Sequence, residues 1–379
     1  MGPSTAPLTL ATALLAGFLA GCTPDAHAPR AGWDGTVDTL AAGRIVVRNG
    51  GEPLWAEGEA WRLTEAVRVG VAEGDGPDVF GQIRAVELDP EGRMYVLDAQ
   101  ASEVRIFTAD GFHVRTVGRP GEGPGELGGP AGLAWGPDGA LWVMDFRNAR
   151  YTAFDPETGE VVAERRRPFG FFALPWPGGF DREGRLWDTG LARVEGTPGL
   201  MSLVRLDSAF LPMDTVRAPR QDESASILFT RGDGTLVMSM PDPYAPRPVW
   251  ALWSRGGIIA SDGVEYVLHL EAPGGDTVRT IALDRPRPAV SRTERDSVTT
   301  AFRETAAELA GDASPVRDPR VPDTKPALRA VFEDDRNHLW VQPYRTEGEP
   351  AAWDVFDPEG RYLGAVEMPV AIPPGVRPV

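Results

Sequence analysis

A repeat of 47 residues is the feature that most constrains how this chain can fold. Two successive units share a Gly-x-Gly-Pro segment, a turn containing Gly, and an Asp at the end of the apolar run that follows the turn. The matched positions, each 47 residues apart, are Gly74 and Gly121, Pro77 and Pro124, Gly92 and Gly139, Asp98 and Asp145, and Phe107 and Phe154. Five matches at one offset indicate a duplicated structural unit.

Weaker copies of the central element, a Gly or Asn followed by apolar and aromatic residues, begin at Gly184, Gly256 and Asn337. Each unit alternates apolar and polar residues between turns such as Asp-Pro-Glu-Gly, which is typical of antiparallel strands. The 44 Gly and 36 Pro exclude a fold built mainly of long helices. A unit of roughly 40 to 50 residues repeated in this way predicts an all-β fold, a single β-propeller of about six blades with about four antiparallel strands each.

One segment predicts a helix. Ser291 and Glu294 fit a capping box, and Gly311 ends the pattern. The apolar positions at helical spacing are Val298, Phe302, Ala306 and Leu309. We therefore predict a helical insert near 293–310, which either serves as a lid or partner-binding element or covers apolar surface between blades.

The N-terminus has the pattern of an export signal. Residues 8–21 form an apolar run too short to span a bilayer, and small residues precede Cys22, the only cysteine. An exported chain with one thiol cannot form an internal disulfide, which favours a modified Cys22. We predict a signal peptide over residues 1–21, a flexible tether over 22–43 and the propeller domain over 44–379.

The tetrapeptide Leu19-Ala20-Gly21-Cys22 resembles the bacterial lipobox. In lipoproteins the cysteine receives a diacylglyceryl group and acyl chains such as palmitate, and it becomes the first residue of the mature protein. Two or three acyl chains, at about 0.8 kcal/mol per buried CH₂, anchor a protein stably. Because Thr23 stands where lipoproteins retained in the inner membrane carry Asp, the resemblance implies the outer membrane, with the propeller facing the periplasm or the cell surface.

The string GPGELGGPAGLAWGPDGALWVMDFRNAR, over residues 123–150, resembles an NHL-type repeat. The chain as a whole resembles the bacterial six-bladed β-propeller lipoproteins that share this repeat and belong to the wider TolB-like group. The likeness is strong over residues 74–165 and weaker after 190. We expect the segments that begin at Gly43 and Glu59 to supply part of the sixth blade and to close the ring against the C-terminal unit at 329–367.

Aromatic residues divide into two groups. One group recurs at the same place on the second strand of each unit and is predicted to pack between blades: Tyr95, Trp142, Trp187 and Trp340. The other group does not recur in register and is predicted to line the central pocket: Trp135, Phe146, Trp176 and Trp250.

Polar residues that follow the second strand of each unit are the candidate site. In a propeller these positions, and the crossovers between blades, lie on the top face, where ligands usually bind. The candidates are Asp98, Asp145, Asp262, Glu126, Asn148 and Arg150. They are interpreted either as a site for calcium or another divalent cation, or as turn residues whose carboxylates accept hydrogen bonds from their own turns. Recurrence in several blades favours the second interpretation, because a catalytic residue is needed only once.

The charge limits the partners. With 55 acidic and 38 basic residues the net charge is −17, which opposes binding to nucleic acid. Lys325 is the only lysine. We expect a monomer that contacts the membrane through Cys22 and an envelope protein or peptide through its top face.

The residue types favour a non-enzymatic role. The NHL-type amidating lyases hold zinc with histidines, but His113, His269 and His338 lie in three separate units, and no Ser-His-Asp set is evident. Our first interpretation is a lipid-anchored envelope propeller that binds a protein, peptide or small ligand on its top face. The alternative, implied by resemblance to gluconolactonase-type propellers, is a divalent-metal-dependent hydrolase or lactonase that uses top-face carboxylates. We assign no catalytic residue and no cofactor beyond such a cation.

Overall fold

The computed structural model describes residues 32–170, 172–194, 197–219 and 223–369. Six sheets and one α-helix make up this part of the chain, which confirms the predicted all-β class. We number the sheets I to VI in chain order. The predicted signal peptide and Cys22 lie outside the described residues.

Sheets I and II are the two units of the repeat. The strands of sheet I are Ile83–Leu88, Met94–Asp98, Glu103–Phe107 and His113–Val117. The strands of sheet II are Pro130–Trp135, Leu141–Asp145, Arg150–Phe154 and Val161–Arg166. The first three strands of sheet II start 47 residues after those of sheet I (130 − 83, 141 − 94 and 150 − 103), so the sequence offset is the blade repeat.

Three further sheets contain the same four antiparallel strands. Those of sheet III are Gly179–Phe180, Leu186–Val194, Thr197–Leu206 and Pro212–Arg217. Those of sheet V are Val249–Leu252, Ile258–Ser261, Val267–Glu271 and Thr277–Leu283. Those of sheet VI are Leu328–Glu333, Leu339–Pro343, Ala352–Phe356 and Tyr362–Glu367. The turns between first and second strands define the bottom face, and the crossovers define the top face.

Sheet IV departs from the predicted four strands. It has three, Ser226–Thr230, Leu236–Pro241 and Ser314–Pro315, because the chain leaves after the hairpin, builds sheet V and the helix, and returns for two residues only. Phe229 and Ile227 of this sheet pack on Phe302 and Ala306 of the helix. Sheet III packs directly on sheet V, through Trp187, Leu203 and Val216 against Ile258 and Ala260.

The helical insert is confirmed. Helix α1 spans Arg292–Ala310, the Ser291 side chain accepts a hydrogen bond from the Glu294 N–H, and the Glu294 side chain accepts one from the Ser291 N–H. Short 3₁₀ turns occur at Ala41–Gly43 and Glu223–Ala225. In the described part of the chain, no helix combines the length and the apolar character needed to cross a bilayer.

The N-terminal strands do not form the predicted sixth blade. Ile45–Asn49 pairs in parallel with Thr277–Leu283, and Thr36–Thr39 adds a further strand, so that sheet V has six strands. The C-terminal sheet VI is complete without them. The tether predicted to end at residue 43 also extends too far, because Trp33 is buried and donates its indole N–H to Asn49 at 2.9 Å.

The segment that follows these strands links sheet VI to sheet I without forming a strand. The N–H groups of Leu54 and Trp55 donate to the carbonyls of Tyr362 and Leu363 at 3.1 and 2.9 Å. Trp61 then packs on Trp340, with ring centres 5.8 Å apart. The predicted contact of the N-terminal region with the C-terminal unit is therefore present, but its backbone pairing is limited to the outer edge of sheet VI.

Three of the recurring aromatic residues, Tyr95, Trp142 and Trp187, pack between sheets, as predicted, whereas Trp340 packs within sheet VI and on Trp61. Tyr95, Trp187 and Trp340 share a polar anchor. An Asp six residues earlier, at the start of the bottom turn, accepts the hydrogen bond of the phenol or indole. The pairs are Tyr95 and Asp89 at 3.1 Å, Trp187 and Asp181 at 2.8 Å, and Trp340 and Asp334 at 2.9 Å. Sheet II has Gly136 at this position, and the buried indole N–H of Trp142 has no partner among the described residues.

This difference predicts unequal costs for the same substitution. Both Trp142→Phe and Trp187→Phe remove part of a buried indole, but only the second breaks a hydrogen bond. We expect Trp187→Phe to lower the free energy of unfolding by about 1–3 kcal/mol more than Trp142→Phe, as measured by urea titration. Equal losses would contradict the role assigned to Asp181.

Two buried networks join neighbouring sheets through an Asp, a Tyr and an Arg. Asp188 accepts from the Tyr151 hydroxyl at 2.5 Å, from Arg167 Nε at 2.5 Å and from the Trp176 indole at 2.6 Å. Burial and the Asp188 carboxylate raise the pKa of Tyr151 far above its usual range, so the phenol stays protonated and donates.

The second network lies between sheets V and VI. Asp354 accepts from the Tyr266 hydroxyl at 2.7 Å and from the Tyr362 hydroxyl at 3.2 Å, and it pairs with Arg285. In each network one Tyr (Tyr151 or Tyr266) and the Arg that follows the last strand of the same sheet contact an Asp of the next sheet, so each network fixes the orientation of two sheets.

Candidate functional site

Asp98 and Asp145 are anchors of their own blades. Both carboxylates are buried, and each accepts four backbone N–H groups at 2.7–3.3 Å, two just before the first strand and two in the turn after the second. The donors are Gly81, Gln82, Gln100 and Ala101 for Asp98, and Gly128, Gly129, Arg147 and Asn148 for Asp145. These bonds occupy the lone pairs that a cation would require.

The electrostatics of Asp98 agree with this role. Burial disfavours its carboxylate, but the N–H groups of Gly81 and Gln82 and the charge of Arg105 outweigh burial and lower its pKa. Arg105 lies 3.3 Å from the carboxylate. The Asp98 carboxylate is therefore ionised and bound by donors of its own blade. This agrees with the interpretation of the repeated Asp as a turn residue.

Glu126, Asn148 and Arg150 hold the crossover that enters sheet II. Arg150 Nη2 donates to the carbonyls of Gly123 and Glu126 at 2.5 and 2.6 Å, and Asn148 Nδ2 donates to the carbonyl of Gly121 at 2.9 Å. The Glu126 carboxylate accepts from the Gly123 N–H and from Arg119, which together lower its pKa. These side chains thus bind their own loop.

The six predicted residues do not meet in one site. Asp145, Glu126, Asn148 and Arg150 lie together at the top of sheet II, whereas Asp98 belongs to sheet I. Asp262 is exposed beyond the second strand of sheet V and accepts from the Val264 N–H at 2.9 Å. Among the described residues, no three His, Cys, Asp or Glu side chains are grouped so that they could hold a metal ion.

The top face contains a different site, a cavity of about 320 Å³ beside sheet VI. Its walls come from the loop after the second strand of sheet VI, the start of α1, the segment after sheet IV and the inner strand of sheet VI. We call it the top pocket. The side chains that matter below are Tyr244, Glu294, Lys325, Arg329, Gln342 and Tyr344.

Lys325 forms the floor of the top pocket. This residue is only 4% exposed, and its ammonium group binds the Glu294 carboxylate and donates to the Arg345 carbonyl at 2.8 Å. A buried lysine is costly unless it is paired, and here the pair is supplied by the residue that caps α1. The capping box thus connects the helix to the pocket.

Two tyrosines and one arginine form the open side. The rings of Tyr244 and Tyr344 lie 6.0 Å apart and nearly perpendicular, and the Arg329 guanidinium lies 5.1 Å from the centre of the Tyr344 ring. Arg329 is exposed and has no carboxylate within 4.0 Å among the described residues. Tyr244 has a φ of +56°, a conformation that is costly for a bulky residue and is often found at binding sites.

The pairing at the pocket floor predicts an acid-sensitive contribution to stability. Burial disfavours the Glu294 carboxylate, but bonds from Lys325 and Ser291 outweigh it and lower its pKa below 4.5. The carboxylate therefore stabilises the fold above about pH 4.5, and this contribution is lost as the pH falls through the folded-state pKa. We expect Glu294→Gln to be less stable than the wild-type protein near neutral pH.

Urea titrations of both proteins at several pH values test this expectation. The difference in their free energies of unfolding should shrink on acidification, because wild-type Glu294 then becomes neutral as well. A difference that stays constant with pH would show that the variant loses packing rather than charge.

Sequence reasoning identified Glu294 as a capping residue, but it did not place this residue in a site. Lys325 was the one sequence signal for the pocket. The other 37 basic residues are Arg, so a single Lys indicates a position where an ammonium group, rather than a guanidinium group, is needed. Tyr244 belongs to an irregular segment, and Tyr344 follows the second strand of sheet VI, at a position where an aromatic residue does not recur in every blade, so no recurring pattern identifies them.

A family model described as a 6-bladed beta-propeller matches residues 78–178, which include sheets I and II. No curated protein sequence matches the chain. Several solved structures are similar at low identity. A Bacteroides fragilis protein described as exported is 13% identical, with a TM-score of 0.44, over 79% of this chain and 74% of its own.

Virginiamycin B lyase from Staphylococcus aureus is 10% identical, with a TM-score of 0.35, over 76% of this chain and 85% of its own. Regucalcin from Agrobacterium tumefaciens, described as a calcium-binding protein, is 15% identical, with a TM-score of 0.34, over 76% of this chain and 75% of its own. The repeat and the six sheets agree with an all-β propeller fold, and over residues 78–178 the chain is similar to the family described as a 6-bladed beta-propeller.

Proposed function

We propose that the protein is a lipid-anchored propeller of the bacterial cell envelope that binds, without chemical turnover, a ligand with a free carboxylate, such as the C-terminus of a peptide. The observation that carries the proposal is the unpaired Arg329 guanidinium beside Tyr344 at the mouth of the top pocket. Anchoring through Cys22 is proposed from the lipobox resemblance alone.

The chemistry of the pocket supports a carboxylate ligand. A guanidinium group binds a carboxylate with two parallel hydrogen bonds, and no carboxylate of the described residues lies within 4.0 Å of Arg329. Glu349 also lines the pocket, but its carboxylate accepts the Thr346 N–H at 3.2 Å. The faces of Tyr244 and Tyr344 offer an apolar surface to a neighbouring side chain, and Gln342 offers an amide to the peptide backbone. Lys325 is already neutralised by Glu294, so the free positive charge of the pocket lies at Arg329.

Binding of acetylated peptides to the full chain in detergent tests this proposal. Two peptide pools of identical sequence would end in a free carboxylate and in an amide. We expect wild-type protein to bind the free-carboxylate pool at least about tenfold more tightly, which corresponds to about 1.4 kcal/mol. Arg329→Gln should abolish this preference, and Tyr344→Ala should weaken binding of both pools.

Arg166→Gln is the matched control, because Arg166 is an exposed arginine on the outer strand of sheet II and does not line this pocket. It should bind both pools as wild type does. If wild type binds the two pools equally, or if Arg329→Gln keeps the preference, the assignment of Arg329 is wrong.

A further inference from the structure

A second cavity, of about 210 Å³, opens on the bottom face between sheets V and VI. We call it the bottom pocket. Its walls include Trp253 and Arg255 from the first turn of sheet V, Arg279 from the fourth strand of that sheet, and Glu333 and Asn337 from sheet VI. It shares no lining residue with the top pocket.

Two arginines in the bottom pocket lack acidic partners. Arg279 Nη1 donates to the Pro358 carbonyl at 2.6 Å, and Arg255 lies 5.8 Å from the centre of the Trp253 ring. Neither guanidinium has a carboxylate within 4.0 Å among the described residues. In a chain with 55 acidic and 38 basic residues, two unpaired arginines that line one cavity are an unexpected arrangement.

The positive charges also act on each other. Arg279 is half-buried, and burial together with the neighbouring charge of Arg255 lowers the pKa of its guanidinium. Two like charges held near each other at a partly buried position repel, and the carboxylates of Glu359 and Asp357 offset this repulsion and the burial only in part. A bound anion between them would relieve both the repulsion and the desolvation.

The carboxylates around the cavity are held by other donors. Glu333 accepts the Ser254 N–H at 2.8 Å. Asp357 accepts the N–H groups of Glu359 and Arg361 at 3.0 and 2.8 Å within its own turn. These contacts keep the acids in place, so that the guanidinium groups of Arg255 and Arg279 are left facing the cavity.

We propose that the bottom pocket binds a small oxyanion, a phosphate group, between Arg255 and Arg279. Guanidinium groups match the geometry of phosphate oxygens and bind them through paired hydrogen bonds. Trp253 and Leu339 add apolar surface for a short carbon chain attached to the phosphate. This site is independent of the top pocket and of the carboxylate ligand proposed for it.

Isothermal titration of the full chain with inorganic phosphate and with glycerol 3-phosphate tests the site, with chloride added to hold the ionic strength constant. We expect wild-type protein to bind both, and Arg255→Gln and Arg279→Gln each to weaken binding at least about tenfold. Glu333→Gln should strengthen binding, because it removes a negative charge from the cavity wall without removing the acceptor for Ser254. Arg166→Gln, outside the cavity, should bind as wild type does.

Vesicles with and without phosphatidylglycerol distinguish a lipid headgroup from a free phosphate compound. If the protein binds the soluble phosphates in preference to vesicles, the site takes a small molecule. If it binds anionic vesicles and Arg279→Gln abolishes this binding, the site takes a lipid headgroup. The proposal is overturned if wild type binds none of the probes, or if Arg255→Gln and Arg279→Gln bind phosphate as wild type does. Melting curves of each variant establish that it is folded before the titration.

Discussion

Asp188→Ala is expected to lower the free energy of unfolding by about 3–5 kcal/mol, the largest effect predicted for a single side chain here. The substitution leaves Arg167, which is buried, with an uncompensated charge, and it removes the acceptor of the Tyr151 hydroxyl and the Trp176 indole. Unfolding in urea followed by tryptophan fluorescence measures the loss.

Asp38→Ala is the matched control. It also removes the carboxylate of an Asp–Arg pair, but Asp38 and Arg48 are exposed on the edge of sheet V, where such a pair contributes about 0–1 kcal/mol. The double variant Arg167→Met/Asp188→Leu should recover part of the stability lost in Asp188→Ala, because it leaves no buried charge. If Asp188→Ala lowers the free energy of unfolding as little as Asp38→Ala does, the Asp188 network does not hold sheets II and III together.

Cys22→Ala is expected to abolish lipid modification of the chain. If Cys22 receives the diacylglyceryl group, the mature protein begins at this residue and carries two or three acyl chains, enough for stable membrane attachment. In bacterial cells grown with an alkyne-bearing palmitate analogue, wild-type protein should be labelled, and Cys22→Ala should lose at least about tenfold of the label.

Thr23→Ala provides the control, because it changes the neighbouring residue and leaves the thiol intact. It should be labelled as wild type is. The intact mass of the wild-type protein should equal residues 22–379 plus the lipid. Label that persists in Cys22→Ala, or a mature N-terminus elsewhere, would show that the lipobox resemblance is incidental.

The repeat was predictable because turn chemistry and strand alternation are local. Gly92 and Gly139 occupy corresponding turns with φ of +78°, and Asp98 and Asp145 each accept four N–H groups at corresponding positions of their own blades. Equal sequence spacing therefore gives equal structure. The helix was predictable for the same reason, since its capping box lies within four residues.

Long-range placement was not predictable. Strand Ile45–Asn49 has an ordinary strand pattern, and only tertiary packing decides that it joins sheet V rather than sheet VI. The positions of the aromatic residues predicted to line the central pocket were also not predictable from the sequence. The indole of Trp135 donates to the Leu88 carbonyl and that of Trp176 to Asp188, so both lie between sheets.

The top pocket was missed for a related reason. Its residues come from four distant segments, around 244, 294, 325 and 344, and only the last of these belongs to a blade turn. Repetition identifies what every blade needs for its own turns. A ligand site that occurs once must be recognised from exceptions, such as the single lysine and the positive φ of Tyr244.

The most direct test of the account is mass spectrometry of the compounds that the full chain retains from a bacterial envelope extract. We expect wild-type protein to retain a compound with a free carboxylate and to release it with unchanged mass after prolonged incubation. Arg329→Gln and Tyr344→Ala should retain at least about tenfold less of it, whereas Arg166→Gln retains the wild-type amount. Conversion of the compound by wild-type protein, or equal retention by the pocket variants, would contradict a binding role for the top pocket.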